Sequence, residues 1–246
     1  ISGKQARIES IRFCSMADDE TAVIRYSVTP LNFDGTIRFT PFLDGDVHNH
    51  ASNYDEKFWE AVSSNTTPGG GSVVCRTKKT AFEVAASMQL DVLLDGVSQS
   101  VSYAEFSRDF YAENNIEIEV KAKQTVQLMK YVGLVSSLNY APTELKAASE
   151  RAALRAKTIG FDKMMSAQIE AWSNIWEMAD IQIAGDDEAQ QAIRFNIFHL
   201  NQTYTGEDSR LNIGPKGFTG EKYGGSTYWD TEAYCIPFYM STKNQQ

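Results

Sequence analysis

The sequence has little of the residue types on which several common classes of function depend. Its 246 residues include three cysteines and three histidines, and no two cysteines are spaced as C-x-x-C. A disulfide framework or a zinc site needs more such residues at short spacing, so neither is predicted, and the thiols fit a reducing compartment such as the cytosol. The scattered histidines also argue against a Ser-His-Asp or Cys-His hydrolase.

Positive charge and long apolar segments are also scarce. The formal net charge is -9 and the isoelectric point is about 4.9, whereas a nucleic-acid partner requires a clustered basic surface. No apolar run approaches the roughly 18 residues of a membrane helix, and the first residues do not resemble a secretory signal. We therefore expect a cytoplasmic protein with a small ligand and no nucleic-acid or membrane partner. Because the chain does not begin with Met, we expect its true termini to lie outside this sequence.

What is present, over residues 1–140, is a series of β-strand patterns. Apolar and charged residues alternate from Ile116 to Ala122, as on a half-buried strand. Comparable segments lie at 22–28, 36–42, 82–94 and 124–134, separated by turn signals such as Asp-Gly pairs. Strands without intervening helices predict a β-sandwich, and we assign residues 1–140 to part of such a domain.

Helical patterns replace the strands after Pro142. The segment 144–158 is rich in helix-forming residues, and Gly160 marks its end. A second helix follows, and we assign residues 141–185 to a helical linker. Its apolar positions, spaced three and four apart, predict one continuous packing stripe: Phe161, Met165, Ile169, Trp172 and Trp176.

A third helix is predicted to begin at Asp186 and Asp187, where Gln190 completes a capping-box pattern. We assign residues 186–246 to the start of a second, helical domain whose layer does not close within the chain, so its apolar face should be exposed. A glycine-rich loop, 214–225, and the segment 228–232 follow. The predicted inner face of the helix comprises Ile193, Ile197, Leu200 and Tyr204.

Trp229 and Asp230 are the candidate sugar-binding residues. A carboxylate accepts charge-assisted hydrogen bonds from neighbouring hydroxyl groups, and an indole offers a flat apolar face to the C–H side of a pyranose. A helix N-cap beside a buried ring also fits the same two residues. The glycine-rich loop has no G-x-x-x-x-G-K-[ST] pattern and therefore is not a Walker phosphate loop.

Other polar clusters favour structural interpretations. The residues at alternate positions from 44 to 50 are Asp44, Asp46, His48 and His50, which would face one side of a strand as metal ligands do. Their segment has the composition of a solvated turn, so no metal site is predicted. His199 is interpreted as a packed ring rather than a catalytic base. The basic residues near the glycine-rich loop are interpreted as solvated surface charges: Arg210, Lys216 and Lys222.

The sequence from Arg194 to Glu232 closely resembles glycoside hydrolase family 65. The motifs are R-F-N-I-F-H-L at 194–200, G-E-D-S-R at 206–210, I-G-P-K-G at 213–217, T-G-E-K-Y-G-G at 219–225 and Y-W-D-T-E at 228–232. The segments L-D-G-D at 43–46 and N-Y-D-E-K-F-W at 53–59 resemble the N-terminal sandwich of that family. The resemblance implies a multidomain β-plus-α architecture: part of an N-terminal β-sandwich, a helical linker and the first helices of an (α/α)6 barrel.

The resemblance also implies an activity for the whole protein. Family members of this kind are inverting α-glucoside phosphorylases, which convert maltose and phosphate to β-glucose 1-phosphate and glucose, commonly as homodimers. Trp229 and Asp230 match the pair that contacts glucose, whereas the general-acid glutamate is expected beyond the end of the chain, so no residue here is assigned as catalytic. No cofactor is implied, only phosphate as co-substrate. Two alternatives stay open: a hydrolase of the same family, such as an acid trehalase, and a non-catalytic carbohydrate-binding fragment.

Overall fold

Alternating apolar residues along the first part of the chain form two antiparallel sheets. In a computed structural model, which describes residues 3–48, 57–214, 217 and 226–242, the chain divides into two units. The first unit comprises Ile1–Val47 and Phe58–Gln168, and the second His48–Lys57 and Ile169–Gln246. The described strands are β1 (Ala6–Cys14), β2 (Thr21–Pro30), β3 (Gly35–Phe39), β4 (Phe42–Asp44), β5 (Trp59–Thr67), β6 (Gly70–Thr77), β7 (Glu83–Leu94), β8 (Val97–Ser98), β9 (Ala104–Arg108), β10 (Tyr111–Val120) and β11 (Val126–Ser136).

The two sheets of the first unit pack face to face as a β-sandwich. The larger sheet has the order β1-β2-β11-β7-β6-β5, with β8 on β7, and the smaller has the order β3-β10-β4, with β9 on β10. Both sheets contribute to one buried core, because alternate residues of each strand point to the same face. The central members of this core are Val28, Leu90 and Val126 from the larger sheet and Phe39 and Ile116 from the smaller.

The other face of the larger sheet is covered by α1 (Leu145–Ile159) and the beginning of α2 (Phe161–Ala179). α1 presents small residues to the sheet, among them Ala148, Ala152 and Ala156, all buried. On the sheet side, Gly133 of β11 lies against α1 so closely that a Cβ placed there would be 2.1 Å from the Ser149 carbonyl oxygen. Glycine at this position is therefore what allows the helix to approach the strand.

The second unit contains the remainder of α2, then α3 (Asp187–Thr203), a π-helical segment (Thr231–Cys235) and α4 (Ile236–Thr242). Stacked rings join α2 to α3: the Trp172 and Phe198 centroids are 4.9 Å apart. Tyr239 of α4 donates a hydrogen bond to the Leu200 carbonyl oxygen at 2.8 Å and so joins α4 to α3. α2 lies in the segment predicted as the linker, whereas the later helices lie in the region predicted as the start of a barrel, and the barrel itself stays a prediction.

Several predictions on strands and helices are confirmed, with shifted ends. The predicted strand at 36–42 is two strands, β3 and β4, interrupted at Thr40 and Pro41. α1 ends as predicted at Gly160, whose φ of 82° is the left-handed conformation that glycine adopts readily. The domain limits at 140 and 185 stay predictions.

Three local predictions on the helices are wrong. Asp186 caps α3 by accepting from the Ala189 amide at 2.9 Å, but Gln190 does not complete a capping box; its side chain bonds the backbone of Ile181 and Ile183. The apolar stripe of α2 is not continuously buried, since Ile169 is 59% exposed. Ile197 is buried and Ile193 and Leu200 are partly buried, so the inner face of α3 is not the exposed surface that was expected.

Candidate functional site

The candidate residues Trp229 and Asp230 lie in the first helical turn ahead of the π-helical segment. Thr231, which is buried, fixes this turn: its hydroxyl donates to the Ile213 carbonyl oxygen at 2.8 Å, and its amide donates to the Tyr228 carbonyl oxygen at 3.0 Å. The turn is therefore held against the residues that precede the glycine-rich loop. Trp229 and Asp230 project from a backbone with fixed hydrogen-bond partners.

The side chains of both candidates are available to a ligand. The Trp229 side chain is 87% exposed, so its ring is not packed against another helix. Asp230 is also exposed, has helical backbone angles (φ -57°, ψ -33°) and makes no side-chain capping hydrogen bond. Asp230 stands at the N-cap position of the π-helical segment, but its side chain makes no capping bond and the Trp229 ring is not buried, so the alternative of a capping aspartate beside a buried ring is not observed. What the two residues offer chemically is an apolar ring face next to an ionisable hydrogen-bond acceptor.

The two described ends of the glycine-rich loop lie close together. The Asn212 side-chain amide donates to the Thr227 hydroxyl at 2.8 Å, which brings the segment before the loop to the start of the helical turn. Within the loop, only Gly214 and Gly217 are among the described residues, and the Gly217 amide donates to the Gly214 carbonyl oxygen at 3.0 Å. Lys216 and Lys222 lie outside the described residues.

Arg210, predicted to be a solvated surface charge, is instead paired with an acid in its own loop. Its guanidinium group contacts both carboxylate oxygens of Asp208, with the shortest separation 2.6 Å from Nη2 to Oδ2. This charge-assisted pairing lowers the pKa of Asp208 to about 2 and raises that of Arg210. The Asp208 carboxylate therefore largely neutralises the positive charge of Arg210.

Behind the helical turn, the environment is less polar. Burial, together with the nearby Asp230 carboxylate, raises the pKa of the Cys235 thiol. Burial is also the main cause that raises the pKa of Tyr239 to about 12. The Cys235 thiol and the Tyr239 hydroxyl are therefore both neutral near pH 7, and neither places a negative charge near Asp230.

The remaining histidine and acid clusters have structural contacts. His199 lies edge-on to Phe195, with ring centroids 4.2 Å apart, and its Nδ1 is 2.8 Å from the Gln202 side-chain amide, in agreement with the predicted packed ring. The Asp44 carboxylate accepts from the Asp46 amide at 2.9 Å, as in a turn. His50 lies outside the described residues.

A separate cavity of about 220 Å³ opens between the sheets of the sandwich. Its lining is mainly apolar and includes Leu43, Val47, Trp59, Cys75 and Leu134. A sugar requires several hydrogen-bonding groups, and among the described residues of this lining Asp44 is the one carboxylate. The cavity is therefore a poor match to a saccharide.

Reasoning from the sequence assigned no role to Thr231, although it stands within the Y-W-D-T-E motif. Its burial and its bond to Ile213 make it the residue that positions Trp229 and Asp230. The sequence does show a hydroxyl residue directly after the candidate acid Asp230. It does not show that this hydroxyl bonds the carbonyl oxygen of Ile213, which is 18 residues away.

Comparisons with known proteins match both parts of the chain to one family. The model of the glycosyl hydrolase family 65 N-terminal domain matches residues 1–175, and that of the glycosyl hydrolase family 65 central catalytic domain matches residues 194–246. Among curated proteins, maltose phosphorylase of Bacillus subtilis (strain 168) is 38% identical over 98% of this chain, and alpha,alpha-trehalose phosphorylase of Thermoanaerobacter brockii is 30% identical, also over 98%.

The fold has a solved counterpart. A structure described as "Putative kojibiose phosphorylase from human microbiome" matches with a TM-score of 0.83 and 24% identity, covering 97% of this chain and 31% of that one. The chain likewise spans 31% of the maltose phosphorylase and 32% of the trehalose phosphorylase. Since the N-terminal family model alone covers well over half of the residues, the chain belongs to glycosyl hydrolase family 65.

Proposed function

We propose that this chain is part of an inverting α-glucoside phosphorylase that converts maltose and inorganic phosphate to β-glucose 1-phosphate and glucose. The observation that carries the proposal for the site is the exposed Trp229 ring next to an Asp230 carboxylate that makes no capping bond. Similarity to phosphorylases supports the reaction class, and the 38% identical maltose phosphorylase makes maltose the first substrate to test.

In this proposal, Trp229 and Asp230 bind the glucose whose anomeric carbon reacts. The indole packs on the C–H face of the pyranose, and the carboxylate accepts hydrogen bonds from adjacent hydroxyl groups. Both contacts orient the ring so that phosphate can attack the anomeric carbon on the face opposite the departing sugar. We assign no residue of this chain as the acid that protonates the departing oxygen.

The chemistry requires one protein carboxylic acid rather than two. An inverting hydrolase uses one carboxyl group to protonate the leaving oxygen and a second to activate water. When phosphate is the nucleophile, it arrives already anionic and the second group is unnecessary. The proposed co-substrate is therefore phosphate, and no other cofactor is needed.

The reaction is tested with the full-length gene product and maltose, with and without inorganic phosphate. We expect glucose 1-phosphate to form only when phosphate is supplied. Release of glucose alone, independent of phosphate, would replace the proposal with a hydrolase, and binding of maltose without turnover would replace it with a carbohydrate-binding protein.

The site is tested by Asp230→Asn in the same protein. Loss of charge-assisted hydrogen bonds to the sugar should cost about 3 kcal/mol of transition-state binding, which is roughly a hundredfold loss of kcat/KM. Asp187→Asn is the matched control, because Asp187 is an exposed aspartate in the first turn of α3. An unchanged kcat/KM for Asp230→Asn would reject the assignment.

A further inference from the structure

One lysine lies on the apolar inner face of the larger sheet. In β11, Lys130 follows Val126 and Leu128 at alternate positions, and both of these residues belong to the sandwich core. Its register partners are Ile24 on β2 and Leu90 on β7. Because alternate residues of a strand share a face, the Lys130 side chain leaves the sheet among apolar neighbours.

The Lys130 amine has few polar contacts within the described parts of the chain. Its Nζ donates to the Phe42 carbonyl oxygen and lies 5.8 Å from the centroid of the Phe42 ring, and it forms no ion pair there. The Phe42 ring stacks on Tyr111 with centroids 5.5 Å apart, and the Arg108 guanidinium lies 4.7 Å from the Tyr111 centroid. A carbonyl oxygen and an aromatic ring thus take the place of part of the water around the amine.

Carboxylates on the smaller sheet do not compensate for this loss of water. Asp44 on β4 and Glu113 on β10 are both associated with Tyr111, whose hydroxyl donates to Glu113 at 2.6 Å. Burial is the main cause that raises the pKa of Tyr111 to about 12, and both acids add to it. Neither forms an ion pair with Lys130.

Charged groups on the larger sheet do not compensate either. Arg12 on β1 stands in the same row as Lys130, on the far side of Ile24, and is itself positive. Asp91 on β7 follows Leu90 on the opposite face, where its carboxylate lies 2.9 Å from Lys157. Burial therefore lowers the pKa of Lys130 to about 8.

We propose that Lys130 is an acylation site, whose ε-amine reacts with small activated acyl groups such as acyl phosphates or thioesters. The neutral nitrogen attacks the acyl carbon, the new N–C bond forms as the C–O bond to phosphate or the C–S bond breaks, and one proton passes from the nitrogen to the leaving phosphate or thiolate or to water. The product is a neutral amide. Lys130 is only partly buried, and Phe42, whose ring centroid lies 5.8 Å from the Lys130 Nζ, is 46% exposed, so a small acyl donor has a route to the nitrogen.

Lys157 is the internal comparison, because it is also partly buried but has an acidic partner. Its Nζ lies 2.9 Å from Asp91 and donates to the Leu90 carbonyl oxygen at 2.8 Å. An ion pair holds the proton on a lysine, whereas burial without one releases it. At pH 7.5, an amine with a pKa near 8 is roughly one-quarter neutral, against about one part in a thousand for an ordinary lysine.

The experiment treats the folded protein with trace isotopically labelled acetic anhydride from pH 6 to 11 and measures the rate at each lysine by peptide mass spectrometry. We expect Lys130 to react at least tenfold faster than Lys157 at pH 7.5, with a half-maximal rate near pH 8. Acetyl phosphate and an acetyl thioester, applied separately, then identify the donor class. The proposal is overturned if Lys130 reacts no faster than Lys157 at pH 7.5, or if neither biological donor prefers it.

A pair of variants separates reactivity due to lost water from simple access. Phe42→Ala admits water to the amine, so the rate at Lys130 should fall several-fold at pH 7.5 while the rate at pH 11 stays equal or rises. Phe106→Ala removes an equally exposed ring that contacts Tyr111 but not Lys130, and should leave the profile unchanged. If Phe42→Ala increases the rate equally at every pH, access limits the reaction and the proposed cause is wrong.

Discussion

Replacement of Gly133 by alanine is the sharpest test of how the helical segment is attached to the sandwich. An added Cβ would lie 2.1 Å from the Ser149 carbonyl oxygen, 2.6 Å from the Ala153 amide nitrogen and 2.8 Å from the Ala152 Cβ. These atoms belong to the helix backbone or to its first side-chain atom, so no flexible side chain can move aside. The whole helix α1 must move instead.

The size of the effect follows from that displacement. Ordinary contact begins near 3.4 Å, so the nearest atom must retreat by about 1.3 Å, the difference between 3.4 and 2.1 Å. A gap of roughly 1 Å already removes up to about half of the dispersion energy between packed atoms. Overpacking costs about 1 to 3 kcal/mol, and the reduced freedom of the unfolded chain returns at most about 1 kcal/mol. Because a whole helix face is affected, we expect a net loss of about 2 to 3 kcal/mol.

Thermal unfolding followed by circular dichroism measures this loss. For a chain of this size, it corresponds to a fall in Tm of roughly 4 to 12 °C. Gly35→Ala is the matched control, because its added Cβ would meet only Phe33 at an ordinary 3.9 Å, and its Tm should change little. An unchanged Tm for Gly133→Ala would show that α1 does not lie as close to β11 as described.

Two further predictions concern single polar groups. Asn114 is fully buried, and its side-chain amide donates to the Gly70 carbonyl oxygen at 2.8 Å. Asn114→Ala should therefore lower the free energy of unfolding, measured by urea titration, by about 2 kcal/mol. Asn115→Ala, at a partly exposed position, is the control and should change it far less. Arg194 lowers the pKa of Asp180 through a hydrogen-bonded pair at 2.6 Å. A carboxyl group whose pKa is lower in the folded state stabilises the fold at pH values above its unfolded pKa, near 3.8. That stabilisation is lost as the pH falls through the folded pKa. In an NMR titration, Arg194→Gln should therefore return the pKa of Asp180 toward 3.8. The variant should be less stable than the parent protein at pH 7 but not at pH 2. A pKa of Asp180 that does not move would contradict the pairing.

The sequence predicted strands best where one face is buried and the other is wet. The alternation predicted at 116–122 forms the second half of β10 as far as Val120, and the segment 82–94 is β7 almost to the residue. β1 was missed because it is the edge strand of its sheet and nearly all of its residues are exposed, so no apolar face marks it. β6 was missed because Pro68 and three glycines resemble a turn. In the sheet, a Cβ at Gly71 would lie 3.3 Å from the Met88 side chain, so the close packing of neighbouring strands favours glycine there.

Capping and burial of the helices were harder to predict because they depend on residues distant in sequence. Gln190 stands at the spacing of a capping box, yet the backbone of Ile181 and Ile183 competes successfully for its side chain. Apolar spacing correctly located α2 and α3, but spacing alone does not state how much of each face another element covers. Burial of Lys130 could not be predicted either. The sequence Val-Gln-Leu-Met-Lys-Tyr-Val does not show that the lysine lies on the inner face of the sheet until the strand register is known.

Motif resemblance selected Trp229 and Asp230 as sugar-binding residues, and the structure adds that both are exposed. Their exposure decides how a loss of kcat/KM in Asp230→Asn is to be interpreted. In open water, a hydrogen bond from a sugar hydroxyl to Asp230 replaces one from water and contributes about 1 kcal/mol. Inside an enclosed pocket the same bond is stronger, because the local dielectric constant is lower and no water competes. A hundredfold loss of kcat/KM in Asp230→Asn therefore requires that the bound sugar encloses the carboxylate or that other parts of the protein do. A loss of only a few-fold would mean that glucose meets this residue on an open surface, and the proposed subsite would then have to lie elsewhere.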